Sequence, residues 1–302
     1  MGLSRRAAVP APVPSGDGLI ASGPDWHSPA TLDEAIELRA RLGDQGVVVA
    51  GGTFTGILVA NGLIRPRAFI HLGRVRGLDH ITIGEELRLG AMVTHRRIEE
   101  SDAIRQSPWA CVADCFGQVA SPRIRNQATV GGVMCDADYA SDPPTLLVAL
   151  GARVRLAGPA AERDVQVADF IEDHYQTKLG GDELLAEVVV PRPPARVSYL
   201  KFKSRSTEDR PCVGVAVAAD LDPDGTCRTL RVIVGAVSGR PQQFPEACAP
   251  AVGRRLTREL AGEIGRRYAE KASTLSDVRG SATYRTHLIE VLVRRALEPL
   301  TA

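Results

Sequence analysis

Two stretches decide how this chain reads: Val48-Val49-Ala50-Gly51-Gly52-Thr53-Phe54-Thr55 and, further on, Thr129-Val130-Gly131-Gly132-Val133. Each sets a pair of glycines beside a threonine. A glycine has no Cβ, so its backbone N–H can come close to an anion. A threonine hydroxyl adds one more donor. Neither stretch is a G-x-G-x-x-G fingerprint, and neither is a P-loop, because no Gly-Lys-Ser/Thr follows. Two such turns meeting in space suit the two phosphates of a dinucleotide; either one alone is also what a tight turn looks like.

Outward from the first stretch, Thr31 caps a helix running through Leu32, Ala35, Ile36, Leu38 and Leu42, with Gly43 after its end. Gly46–Ala50 is a short buried strand that runs into the glycine loop, Ile57–Leu63 is helical, and Ala68–Leu72 is another strand. Residues 81–91 alternate around Gly84-Glu85 as a hairpin. Residues 94–120 are helix-like, with Thr94 and Ser107-Pro108 as start signals. Ser121–Asn126 reads as a loop. Asp142-Pro143-Pro144 opens a helix through Leu150. Strands are expected at 153–156, 165–167 and 184–191. Beyond Pro191, Pro193 and Pro194 the texture changes. Val213–Leu221 and Thr229–Val237 are strands joined by Asp222-Pro223-Asp224-Gly225, and 257–271 and 283–298 are helical.

The chain has 302 residues, enough for about two domains at roughly 150 residues each. With 44% apolar and 24% charged residues it can build a core. A net charge of +1 excludes a broad basic surface for nucleic acid, and no apolar run is long enough for a membrane span. The six cysteines, at 111, 115, 135, 212, 227 and 248, form no C-x-x-C pair and no iron–sulfur ligand set. The six histidines, His71, His80 and His95 among them, lack metal-ligand spacing, so no metal residue is assigned. Residues 1–23 read as a disordered lead: Arg5-Arg6 is followed by Pro10, Pro12 and Pro14 rather than an apolar stretch, and Gly2 lacks a following Ser or Thr at position 6. The cysteine pattern reads as reduced thiols in a cytoplasmic protein.

A longer ordered series contains both glycine stretches. It runs from Val48–Thr53 through Arg88-Leu89-Gly90-Ala91, Thr94-His95, Ile124-Arg125-Asn126-Gln127-Ala128-Thr129-Val130-Gly131-Gly132 and Ser141-Asp142. It continues through Leu184-Leu185, Lys201 with Arg205, Asp277-Val278-Arg279 and Tyr284-Arg285. The series resembles the FAD-binding medium subunit of the molybdenum hydroxylases, the family of aerobic carbon monoxide dehydrogenase and xanthine dehydrogenase. The Ile-Arg-Asn-x-Ala-Thr-x-Gly-Gly run is its most specific piece. The resemblance covers about residues 26–299.

What the resemblance implies is an α+β fold: a two-lobed FAD-binding domain of the vanillyl-alcohol oxidase and p-cresol methylhydroxylase type, then a C-terminal α+β domain with an antiparallel sheet and helices. The expected boundaries are 24–195, with lobes at about 24–80 and 81–195, and 196–302. The implied cofactor is FAD, held noncovalently. Implied contacts are Val48, Val49, Ala50, Gly51, Gly52, Thr53, Phe54 and Thr55 in the first loop, and Thr129, Val130, Gly131, Gly132 and Val133 in the second. Val119, Asp138, Asp142, Leu185 and Lys201 complete the set: Asp142 as an anchor, Leu185 as an apolar neighbour of the flavin, and Lys201 as a cation beside it that stabilises reduced flavin. The alternative for Lys201 is a solvated strand lysine. No catalytic residue is assigned. A Cβ at Gly132 is expected to block the pyrophosphate, and a positive φ is expected there.

The implied partners are a molybdenum-cofactor large subunit, a 2Fe-2S small subunit and an external electron acceptor. The chain would pass electrons from the iron–sulfur subunit through FAD to that acceptor. A stand-alone FAD-dependent oxidoreductase, or a flavin-binding scaffold without turnover of its own, is the alternative. Three residues depart from the family pattern: Phe54 where Asp often stands, Val133 in place of the usual Asn, and Cys135 at a small or polar position. They imply either a weaker hold on FAD or a tuned acceptor.

Overall fold

The structure is a computed structural model that describes residues 23–206 and 208–301. The expected disordered lead therefore lies outside the described residues except for Gly23.

The first lobe is a small α/β layer. Strand β1 (Asp25–His27), helix α1 (Leu32–Leu42), strand β2 (Gly46–Val49), helix α2 (Thr55–Ala60) and strand β3 (Ala68–His71) follow one another. The three strands pair in parallel in the order β1-β3-β2. Thr31 caps α1 as expected, its hydroxyl accepting from the Glu34 N–H at 3.2 Å, and Gly43 ends it at φ +50°. Ala35, Ile36, Ile70 and Leu72 are buried beneath this layer with Leu184 and Ala186 of a later strand.

The second lobe is an antiparallel sheet covered by short helices. Its hairpin is β4 (Ile81–Ile83) and β5 (Glu86–Gly90), turning at Gly84-Glu85 as its alternation predicts. The region 94–120 is helical but broken into α3 (His95–Glu99), α4 (Asp102–Arg105) and α5 (Ala110–Gly117). The first break comes at Ser101, whose hydroxyl caps α4 by accepting from the Ile104 N–H at 3.3 Å. Ser121–Asn126, read as a loop, contains a helical turn, α6 (Pro122–Arg125), with proline in its first turn. Then come α7 (Val130–Asp136), α8 (Asp142–Ala149), β6 (Arg153–Ala157), β7 (Glu162–Gln166), α9 (Val167–Phe170), the pair β8 (Ile171–Asp173) and β9 (Gln176–Thr177), and β10 (Leu184–Pro191). The sheet order is β4-β5-β10-β6-β7. β10 is buried along nearly its whole length, Glu187 included, and ends in Val188-Val189-Val190 where a strand is expected. Trp109, 2% exposed, ties α5 to its end through Nε1 donating to the Val190 and Pro191 carbonyls.

The last unit is a four-stranded antiparallel sheet, β11 (Arg196–Phe202), β12 (Val213–Leu221), β13 (Cys227–Gly235) and β14 (Gln242–Gln243), with helices α10 (Pro245–Cys248), α11 (Arg258–Lys271) and α12 (Ala282–Leu297). One face of the sheet packs on α11 and α12 through Val215, Val217, Ile264 and Leu292. The other sends Ala216, Ala218 and Ile233 into the core beneath α8. This double burial joins the last unit to the second lobe and brings β11 beside α8.

Candidate functional site

A cleft of about 650 Å³ lies where the first lobe, the second lobe and β11 meet. That size falls within the range of cofactor sites. The first glycine loop leaves β2 at Val49 and enters α2 at Thr55. Gly52 has φ +70°, a left-handed backbone that disfavours any side chain. A Cβ on Gly51 would stand 1.7 Å from the Gln127 carbonyl oxygen and 3.2 Å from the Ala128 nitrogen. Gly51 therefore lets the first loop rest directly on the segment that leads into the second, and the two loops meet in space.

The loops differ in what they offer. Among the described residues, no protein acceptor meets the N–H of Gly52, Thr53 or Phe54. In the second loop the donors are already engaged. Val130 N–H donates to Val93 O at 3.0 Å, Gly131 N–H to Ala91 O at 2.8 Å, and Gly132 N–H to Thr129 Oγ1 at 3.0 Å. The second stretch is thus the capped first turn of α7, and Gly132 does not have the positive φ expected of it. Gly131 is the tightly enclosed glycine there: a Cβ on it would stand 2.7 Å from Ala91 Cβ. A Cβ on Gly132 would meet only Thr129 Oγ1, at 3.0 Å.

Of the eighteen residues that sequence reasoning assigns to the cofactor, most line the cleft. They are Val48, Ala50, Gly51, Gly52, Thr53, Phe54, Thr55, Val119, Thr129, Gly131, Gly132, Val133, Asp142, Leu185 and Lys201. Val49 and Val130 point into the cores that support the two loops. Asp138 is buried outside the lining, paired with Arg210 and accepting from the Ala140 N–H at 2.9 Å.

Lys201 is 1% exposed, so the solvated-lysine reading does not hold. Its Nζ donates to Asp142 Oδ2 at 2.8 Å and to the Gln118 carbonyl at 2.9 Å. Tyr199, two residues earlier on the same face of β11, donates its hydroxyl to Asp142 Oδ1 at 2.7 Å. Both oxygens of Asp142 are therefore held by the chain itself. Burial pushes the Asp142 carboxyl up while Lys201 and Tyr199 pull it back. Burial pushes the Tyr199 phenol well up, so it stays a donor. Asp142 thus fixes the Lys201 ammonium at the cleft wall.

Sequence reasoning missed several lining residues. His95 is 1% exposed; its Nε2 lies 3.3 Å from Thr129 O, its Nδ1 has no partner, and burial drops its pKa to about 4, so the ring is neutral. Burial pushes the Asp136 carboxyl up to about 7, against the pull of Arg210. Arg39 is held by the Gly43 and Gly46 carbonyls at 2.7 and 2.8 Å. Thr94-His95 stood in the sequence series as a signal for His95, whereas nothing local marks Asp136, Arg39 or Tyr199. Burial pushes the Cys135 thiol up to about 12 and Cys115 up as well, so neither is a thiolate. Among the described residues no three His, Cys, Asp or Glu side chains gather as for a metal ion, and no helix is long and apolar enough to cross a membrane.

Comparison with known proteins gives the same picture. The profile described as "FAD binding domain in molybdopterin dehydrogenase" matches residues 20–193, and "CO dehydrogenase flavoprotein C-terminal domain" matches 198–300. The chain is 32% identical to the nicotine 6-hydroxylase medium subunit of Paenarthrobacter nicotinovorans, covering 90% of this chain and 95% of that one. It is 29% identical to the carbon monoxide dehydrogenase medium chain of Afipia carboxidovorans, over 91% and 95%. Among solved structures, quinoline 2-oxidoreductase from Pseudomonas putida 86 aligns with a TM-score of 0.87 at 28% identity, covering 92% of this chain and 96% of that one. The chain belongs to the family of FAD-binding medium subunits of the molybdenum hydroxylases, with a C-terminal domain of the carbon monoxide dehydrogenase flavoprotein type.

Proposed function

We propose that the chain is the flavin subunit of a molybdenum hydroxylase, holding FAD in the cleft and relaying electrons from an iron–sulfur subunit to an external acceptor. The observation that carries the reading is the contact of the two glycine loops at Gly51 and Gln127, with unpartnered N–H groups at Gly52, Thr53 and Phe54. These donors suit the pyrophosphate, since charge-assisted N–H bonds to phosphate are the strong ones. Val119, Val133 and Leu185 offer apolar walls, and Lys201 supplies a fixed cation. Held there, FAD would supply the ability to accept electrons singly and release them as a pair. The chain's part is to bind it, orient it and place a positive charge where reduced flavin carries a negative one.

In this reading the FAD-binding part spans 24–195, with lobes of about 24–80 and 81–195, and the C-terminal part 196–302. The chain works in the cytoplasm with a molybdenum-cofactor large subunit and a 2Fe-2S small subunit. Purification from the native host tests it. The three chains are expected to elute together, with organic substrate bleaching the flavin only when all are present. A chain that elutes alone and turns over an organic substrate with its own flavin contradicts the subunit reading in favour of a stand-alone oxidoreductase.

A further inference from the structure

In the run Ile124-Arg125-Asn126, Ile124 lines the cleft, whereas Arg125 is buried behind it. The Arg125 guanidinium is shared among Glu99, Val119 and Ala120. Its Nε and Nη2 donate to the two carboxylate oxygens of Glu99 at 2.8 and 3.2 Å. Its Nη1 donates to the Val119 and Ala120 carbonyls, both at 2.9 Å. One planar fork therefore ties the end of α3 to the chain that leaves α5. Gly117, the last residue of α5, rests on the same Glu99: a Cβ there would stand 3.2 Å from Glu99 Cγ.

Residues 118–120 are a wall of the cleft. Val119 and Ala120 line it, and the Gln118 carbonyl accepts from Lys201 Nζ at 2.9 Å. Carbonyls at the C-terminal end of a helix have no partner within the helix and draw cations. Two buried cations divide them here, Lys201 at Gln118 and Arg125 at Val119 and Ala120. Ala120 is left-handed, φ +47°, a conformation that a residue with a Cβ adopts at a cost and that its surroundings must hold. Arg125, bonded to the Ala120 carbonyl and to the one before it, supplies that hold.

We propose that Arg125 is a positioning residue for the cation of the cleft: by fixing residues 118–120 against Glu99, it sets where the Lys201 ammonium stands. The proposal rests on FAD occupying the cleft with Lys201 beside the flavin. Asp142 holds the ammonium from one side and the Gln118 carbonyl from another. With the wall loosened, Lys201 keeps Asp142 but loses its second hold, and a charge without one fixed position stabilises reduced flavin less.

The test uses Arg125→Lys in the full chain. A lysine keeps the charge but cannot span a carboxylate and two carbonyls. In the FAD-free chain, hydrogen exchange followed by mass spectrometry reads the wall itself. The Gln118 and Val119 N–H groups donate to the Cys115 and Phe116 carbonyls at 3.1 and 3.2 Å. Their exchange is expected to quicken at least about tenfold. In the FAD-loaded chain, the preference for reduced over oxidised flavin is expected to fall about tenfold, which lowers the two-electron midpoint potential by about 30 mV. Tenfold is near the lower end of what one charged hydrogen bond contributes. Glu99→Gln, which leaves Arg125 its carbonyls and loosens only its anchor, is expected to move both readings in the same direction by less. Arg96→Gln, which takes a 35% exposed cation from the same Glu99, is expected to move neither. In Lys201→Met, adding Arg125→Lys is expected to shift the potential no further, because Arg125 acts through Lys201. Unchanged exchange, an unmoved potential, or a shift that persists without Lys201 overturns the proposal. A folded parent chain that takes up no FAD overturns the flavin reading instead, while the exchange measurement still decides whether Arg125 holds the wall.

Discussion

Replacing Lys201 by Met tests the buried pair that fixes the cleft's cation. Lys201 and Asp142 are 1% and 3% exposed, with Nζ and Oδ2 2.8 Å apart. Removing one partner of a buried ion pair costs about 3–5 kcal/mol, because the other charge stays buried without compensation. Tyr199 still donates to Oδ1 in the variant, which places the expected loss near the lower end, about 3 kcal/mol. Without Lys201 the carboxyl, already pushed up by burial, rises further and takes a proton in the folded chain that the unfolded chain does not hold. An acid whose folded pKa is raised favours the fold at low pH, and that contribution is lost as pH climbs from the unfolded value through the folded one. The destabilisation of Lys201→Met should therefore be larger near pH 8 than near pH 5. Urea unfolding of the FAD-free chain at the two pH values measures it. Adding Asp142→Asn to Lys201→Met is expected to recover about half the loss or more, because it removes the stranded charge. A loss below about 1 kcal/mol at the higher pH, or a double variant no more stable than the single one, refutes the reasoning.

Further outcomes follow from the same geometry. Gly51→Ala should separate the two loops and weaken FAD binding at least about tenfold, whereas Gly132→Ala, which has only a hydroxyl 3.0 Å away, should cost much less; parallel FAD titrations compare them. Asp136, held near pKa 7, gains a negative charge in the cleft as pH rises from 6 to 8. The FAD dissociation constant should increase over that range, and Asp136→Asn should flatten the dependence. His95, buried neutral with a pKa of about 4, leaves the unfolded chain binding the extra proton between about pH 4 and 6.5. Stability should therefore fall as pH drops through that window, and a His95 variant that keeps the parent's acid sensitivity contradicts this.

Much of this was legible in the chain. Glycine pairs beside threonine marked both loops, the Thr31 and Thr94 caps marked helix starts, and Val188-Val189-Val190 marked the central strand β10. What local sequence does not carry is the division of labour within each glycine pair. Gly51 and Gly131 are required by neighbours 76 and 40 residues away, Gln127 and Ala91, which only the folded chain brings to them. Lys201 left a solvated strand lysine open as the alternative because its two acceptors lie 59 and 83 residues back, at Asp142 and Gln118. Tyr199 and Asp136 went unmarked for the same reason. The break in the helical stretch at Ser101 was open to local reading, since its hydroxyl caps the next helix, and Ser121-Pro122 likewise signals the short turn read as a loop.

The central claim is that the cleft between the two glycine loops holds FAD, and titration of FAD into the purified full chain, followed by flavin fluorescence, tests it most directly. The account predicts saturable binding of one FAD per chain, with the visible bands of oxidised flavin retained after gel filtration and lost in Gly51→Ala. A folded chain that shows no saturable binding, or a Gly51→Ala variant that binds FAD like the parent, would contradict it.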